Sequence, residues 1–212
     1  FTKSEITQGI KDAFVVKEDK KFYSHKGIDY FSILRAIIAN QKSDEIEQGA
    51  STITQQLARN VYLKQEVTWD RKITEMFLAR ELEKKYSKQQ ILEFYINNIY
   101  FANGYYGIEA AARGYFSKGV SELTTSEMVF LAAIPNSPVR YDPVKNINST
   151  LERRNLVLLQ MYEDGKLNTV SYHTALGEEI VLNEQQNHHN NYVDTYVKRC
   201  ATESLMKAYG FS

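Results

Sequence analysis

Apolar residues recur at three- and four-residue spacing through most of this chain, a pattern that predicts a succession of helices. Ile6, Ile10, Ala13 and Phe14 form one stripe, and Ile28, Phe31, Leu34 and Ile38 form a second after Gly27. Three pairs have the spacing of a capping box at the start of later apolar runs: Thr52 with Gln55, Ser87 with Gln90, and Thr124 with Glu127. Stops are equally legible. Gly104 and Gly107 break the chain ahead of a helix over 108–116, Pro135 and Pro138 end the helix around Phe130, and Gly165 ends the one containing Leu156 to Met161. The segment from Gln41 to Gln48 is polar and aperiodic and reads as a mobile surface loop. Gln185 to Asn191 reads as a linker and Tyr192 to Tyr209 as an amphipathic stretch. A main domain is therefore expected over residues 1–182 and an appendage over 183–212.

Composition narrows this to a mostly α fold, because 3 prolines and 10 glycines in 212 residues are too few for a many-stranded sandwich or barrel. The 26 basic and 26 acidic residues cancel, so no nucleic-acid partner is expected. Cys200 is the one cysteine, which excludes a disulfide framework. The histidines His25, His173, His188 and His189 have no zinc-ligand spacing. No apolar run approaches the roughly 20 residues of a membrane helix. The start at Phe1 has the look of an excised or processed fragment.

The chemistry concentrates in three strings. Glu18 closes the first helical pattern and is followed by Asp19, His25 and Asp29. A partly buried carboxylate there suits a general base, and a solvated acid offset by Lys17, Lys20 and Lys21 is the alternative. His25 is expected to make a structural hydrogen bond that holds this loop, and Gly27 to supply a positive φ. In the second string, Thr52, Gln55, Gln56 and Arg59 fall on one helix face and Ile53, Leu57 and Val61 on another. Amides, a hydroxyl and a guanidinium without an acid suit sugar hydroxyls or a phosphate, and equally a capped surface helix. In the third, Arg71, Lys72 and Glu75 share a face of a helix that reads as apolar on nearly all sides, hence buried with its charges lining a cavity. An Arg71–Glu75 pair on a solvated end is the alternative. The runs Glu81 to Lys85 and Leu151 to Arg154 read as solvated faces. Tyr95, Tyr100 and the residues after Gly104 could line a sugar cleft or belong to the core.

Taken in order, Glu18 to Asp29, Gly49 to Asn60, Arg71 to Glu75, Ile91 to Phe101, Gly104 to Lys118 and Glu127 to Pro138 resemble the motifs of glycosyltransferase family 51. That family forms the glycan-polymerising domain of class A penicillin-binding proteins and of monofunctional peptidoglycan polymerases. The resemblance implies a lysozyme-like helical lobe with a smaller membrane-facing lobe. It implies transfer from lipid II onto the nascent glycan chain, inverting, with a β-1,4 bond formed and the lipid pyrophosphate released. On this resemblance Glu18 is the catalytic base and Glu75 the second catalytic acid, assisting the leaving group directly or through a divalent metal (Mg or Mn) held at Glu75, with no organic cofactor. Asp19, His25, Ser51, Thr52, Gln55, Gln56, Arg59, Asn60, Arg71, Lys72 and Tyr100 are the implied substrate-binding residues, Arg59, Arg71 and Lys72 near the pyrophosphate. It further implies a membrane anchor upstream, a transpeptidase domain downstream, and a place on the outer face of a bacterial cell membrane. Val67 and Thr74 stand where basic residues are common, and Ala102 and Ser117 where glycines are frequent. Two other readings stay open: a lysozyme-like glycan hydrolase with Glu18 as acid, and a non-catalytic scaffold that binds cell-wall precursor.

Overall fold

The computed structural model describes residues 6–40, 51–62, 69–135 and 137–183. The expectations placed on the 41–48 loop, Val67, His188, His189, Cys200 and the 185–209 tail lie outside them. Nearly all regular structure among the described residues is helical: α1 (Gln8–Glu18), α2 (Tyr30–Asn40), α3 (Ile53–Tyr62), α4 (Trp69–Lys85), α5 (Lys88–Asn98), α6 (Ile108–Phe116), α7 (Thr125–Ala133), α8 (Ile147–Glu163) and α9 (Thr169–Gly177). A 3₁₀ turn at Val120–Glu122 and an isolated bridge between Tyr100 and Tyr106 complete it. The mostly α expectation holds.

All three capping boxes form. Thr52 N–H donates to Gln55 Oε1 at 3.0 Å while Gln55 N–H donates to Thr52 Oγ1 at 3.1 Å. Ser87 with Gln90, and Thr124 with Glu127, make the same reciprocal pair. Each satisfies backbone donors that the first helical turn leaves without partners.

The chain forms two compact units, one of residues 18–95 and one of 1–17 with 96–212. In the second, α7, α8 and α9 pack together with α6. Phe14 meets Phe101 edge-on at 6.2 Å and Phe116 meets Phe130 at 6.0 Å. Gly114 is required because a Cβ there would stand 2.2 Å from the Tyr105 ring. Arg154, expected to be solvated, is 5% exposed and clamps this unit. It donates to Ser126 Oγ at 2.8 Å and to the carbonyls of Glu178 and Leu176. Ala102 and Ser117 hold φ of 64° and 56°. The turns that glycine would make freely are thus kept by L residues, at about 1 kcal/mol each.

In the unit of residues 18–95, α3 packs on α4 over a core of Phe22, Ile53, Leu57, Ala79, Leu82, Ile91 and Leu92. Glu83, also expected in solvent, has a side chain only 8% exposed and accepts from Thr54 Oγ1 at 2.6 Å and Lys88 Nζ at 2.7 Å. The reading of α4 as apolar all round is corrected: Glu75, Ala79 and Leu82 face inward, but Ile73 and Phe77 are 65% and 64% exposed. The stripe of α2 also faces out, with Phe31 and Leu34 exposed and Ile28, before the helix, buried.

Candidate active site

The turn after α1 is built to hold two carboxylates apart. Asp19 is buried and accepts from His25 Nε2 at 2.9 and 3.0 Å. Gly27 N–H donates to His25 Nδ1 at 3.1 Å. That nitrogen therefore carries no proton, so the hydrogen sits on Nε2, directed at Asp19. Asp19 Oδ2 also accepts the Ile53 N–H at 3.0 Å, placing a negative charge at the N-terminus of α3. Gly27 holds φ of 88°, with the Ala79 carbonyl oxygen 2.9 Å from where a Cβ would stand, and its own carbonyl accepts from Thr52 Oγ1 at 2.7 Å. His25 and Gly27 thus take the structural parts expected of them, and Asp19 joins them as an anchor.

Glu18, the neighbour of that anchor, is left for chemistry. Its Oε2 accepts from Gln56 Nε2 at 3.1 Å. Its Oε1 is buried without a hydrogen-bond partner among the described residues. Gln56 Oε1 in turn accepts from the Tyr95 hydroxyl at 3.0 Å. Burial, and after it the charge of Glu18, pushes the Tyr95 hydroxyl well above its ordinary value of 10.0; Arg59 opposes this and Asp19 adds to it. The hydroxyl is therefore a donor at any working pH.

The polar face of α3 divides. Thr52 and Gln55 are buried in the helix cap, with Gln55 Nε2 lacking a hydrogen-bond partner among the described residues. Gln56 faces Glu18, Arg59 is half-exposed and Asn60 is exposed. On α4, Lys72 Nζ reaches Glu75 Oε1 at 2.6 Å and Ser51 Oγ at 2.7 Å, with Arg71 half-buried beside it. Glu75 is fully buried and Lys72 about a third exposed, so the ammonium is aimed by a carboxylate it cannot leave cheaply. Glu75 thus pairs with Lys72 at i,i+3, a partner that neither reading of this string had named. Among the described residues no group of three His, Cys, Asp or Glu side chains converges on one point. The cation beside Glu75 among the described residues is the Lys72 ammonium, and Glu75 Oε2 is buried without a hydrogen-bond partner among them.

All of these residues lie in the unit of residues 18–95. Tyr100 lies in the other unit, where its ring meets that of Tyr106 at a tilt of 39°, centroids 4.7 Å apart. Tyr95 was legible only as a tyrosine of uncertain use, since nothing in the sequence pairs it with Gln56, 39 positions away.

Residues 1–162 match the Transglycosylase family. The chain is 41% identical over 210 residues to penicillin-binding protein 4 of Bacillus subtilis, covering 98% of this chain and 34% of that protein. It is 43% identical over 181 residues to penicillin-binding protein 1A of Aquifex aeolicus, covering 85% of this chain and 25% of the relative. The chain thus spans between a quarter and a third of the length of these relatives. The crystal structure of penicillin-binding protein 1A from Haemophilus influenzae shares the fold, with a TM-score of 0.51 at 23% identity over 97% of this chain and 20% of that one.

Proposed function

The chain belongs to the transglycosylase family, and from that premise we propose that it polymerises the glycan of peptidoglycan from lipid II, with Glu18 as the base. The observation that carries the reading is the Glu18 carboxylate: one oxygen is held by Gln56, and the other is buried and free to take a proton.

In the proposed step, Glu18 Oε1 removes the proton from the C4 hydroxyl of the acceptor's N-acetylglucosamine. The oxygen forms its bond to C1 of the donor's N-acetylmuramic acid as the C1–O bond to pyrophosphate breaks. The electron pair leaves with the lipid pyrophosphate, and C1 inverts from α to β. The leaving group gains charge as it departs, so a fixed cation that strengthens its contact then lowers the barrier. Lys72 fits that task because Glu75 and Ser51 hold two of its hydrogens and leave the third, and Arg71 and Arg59 add positive charge. Glu75 acts through Lys72 rather than on the substrate.

The reading extends to location. Phe31, Leu34, Ile73 and Phe77 are exposed apolar side chains of the unit that holds Glu18, which supports a lipid-facing role for it. Among the described residues no helix is long and apolar enough to cross a membrane. We place the domain on the outer face of a bacterial membrane, in a longer protein with an anchor and a transpeptidase domain, as the family resemblance implies.

Polymerisation of lipid II in detergent, resolved as glycan ladders on a gel, tests this. The chain should make ladders and Glu18→Gln should lower the rate at least about 100-fold. Ladders of equal intensity from the variant would remove Glu18 from the chemistry, and shortening of preformed glycan without lipid II consumption would favour hydrolysis.

A further inference from the structure

The amide of Gln56 is fixed by three contacts. Its nitrogen donates to Glu18 Oε2 at 3.1 Å and lies 3.5 Å from the Ser51 carbonyl, while its oxygen accepts from the Tyr95 hydroxyl at 3.0 Å. Tyr95 is fully buried on α5, and a buried tyrosine hydroxyl is held to a hydrogen-bond partner, here Gln56 Oε1. A glutamine amide has two nearly isosteric orientations, and what surrounds it decides which is populated.

Those two orientations favour opposite protonation states of Glu18. With nitrogen toward the carboxyl, Gln56 donates to the anion and stabilises it. With oxygen toward the carboxyl, it accepts from a protonated acid and stabilises that form instead. Ser51 and the ionised Glu18 favour the first orientation, but once Glu18 is protonated its own preference reverses. The Tyr95 hydroxyl is then the contact that opposes the flip, because a turned amide would present its NH2 to the hydroxyl oxygen, and the hydroxyl proton would lose the acceptor it has in Gln56 Oε1.

We propose that Tyr95 is a positioning residue for the base: by donating to Gln56 Oε1 it locks the glutamine in the orientation that supports ionised Glu18, and so keeps the base available at lower pH. This rests on the reading of Glu18 as base. The other charged groups around the relay are Asp19 with His25 in the turn and Arg59 on α3. From α4, packed on α3, come Arg71 and the Lys72–Glu75 pair. The Gln56 oxygen accepts from the Tyr95 hydroxyl, and Tyr95→Phe removes that hydroxyl alone.

The experiment follows log(kcat/KM) for lipid II polymerisation against pH in the 212-residue chain and in Tyr95→Phe, Gln56→Ala and the double variant. Alongside, carbon-13 NMR of chains labelled in the glutamate carboxyls follows Glu18, whose resonance is the one missing in Glu18→Gln. Melting curves show that each variant is folded. In Tyr95→Phe the acid limb of the rate profile and the midpoint of the Glu18 resonance should both move to higher pH, by about one unit. This corresponds to a roughly tenfold loss of rate on the acid side with recovery on the plateau. In the Gln56→Ala background the same substitution should move neither. A Tyr95→Phe profile lowered evenly at all pH, or a shift that persists without Gln56, overturns the proposal and leaves Tyr95 a packing residue. If Glu18→Gln still polymerises, the base reading fails, yet the resonance alone still decides whether Tyr95 governs Glu18 through Gln56.

Discussion

Lys72 and Glu75 show how one contact at the residue scale can serve stability and chemistry at once. The carboxylate is fully buried and the ammonium partly exposed, so removing the lysine leaves a buried charge uncompensated. Lys72→Met is expected to destabilise the chain by about 2 kcal/mol, a figure reduced for the solvent that already reaches the ammonium. The same change should lower polymerisation by about 100-fold or more, the usual consequence of losing one preorganised donor to a leaving group. Adding Glu75→Gln to Lys72→Met should restore most of the stability and none of the activity. Urea unfolding together with ladder assays separates the two effects, and recovery of activity in the double variant would remove Lys72 from the chemistry. Sequence reading placed both residues on one face but did not pair them, because the i,i+4 spacing pointed to Arg71 as the partner of Glu75.

Helix ends were the most legible elements, since a capping box is a local device that needs only four consecutive residues. The cap of α2 was less visible. Asp29 Oδ1 accepts from the N–H groups of Phe31 and Ser32 at 3.1 Å each, and its other oxygen accepts from the Ser32 hydroxyl. Burial alone would raise the Asp29 carboxyl, but the Ser32 hydroxyl and amide, the Lys21 charge and the Phe31 amide outweigh it and hold the group below its ordinary 3.8. A folded-state value below the unfolded one contributes stability that is fully present above the ordinary value and is lost as pH falls through the folded one. Asp29→Asn, which keeps an acceptor and removes the charge, should therefore melt below the parent at pH above roughly 5, with the gap closing under more acid conditions. A gap independent of pH in thermal melts would mean that the charge contributes nothing to the cap.

At the scale of the molecule, the question is where the apolar surface goes. The outward stripes of α2 and α4 break the rule that a helical apolar face seeks the core, and Phe31, Leu34, Ile73 and Phe77 are left in contact with solvent. Because the 26 basic and 26 acidic residues cancel, attraction to an anionic surface has no net charge behind it. Binding to phospholipid vesicles is therefore expected to depend on these side chains and little on salt. Ile73→Ser with Phe77→Ser should weaken co-sedimentation with vesicles several-fold while changing folding stability by no more than about 0.5 kcal/mol. Co-sedimentation that the double variant leaves intact and that salt abolishes would point to charge instead.

Local chemistry was determined by the sequence itself: the helices, their capping boxes, the positive φ at Gly27 and the strings that mark a transglycosylase depend on residues close together in the chain. Tertiary structure alone decided which charged side chains are solvated. Glu83 and Arg154 sit in charge-rich runs and read as surface, yet each side chain turns inward because partners far along the chain, Thr54 for one and Ser126 for the other, satisfy their hydrogen bonds. It also decided the division of labour between Asp19 and Glu18, adjacent acids of similar intrinsic chemistry. The first is bound to His25 and the end of α3, and the second is left with an open oxygen beside Gln56 and Tyr95. A carboxylate becomes an anchor or a base according to how many donors surround it, and those donors arrive from helices that only folding brings together.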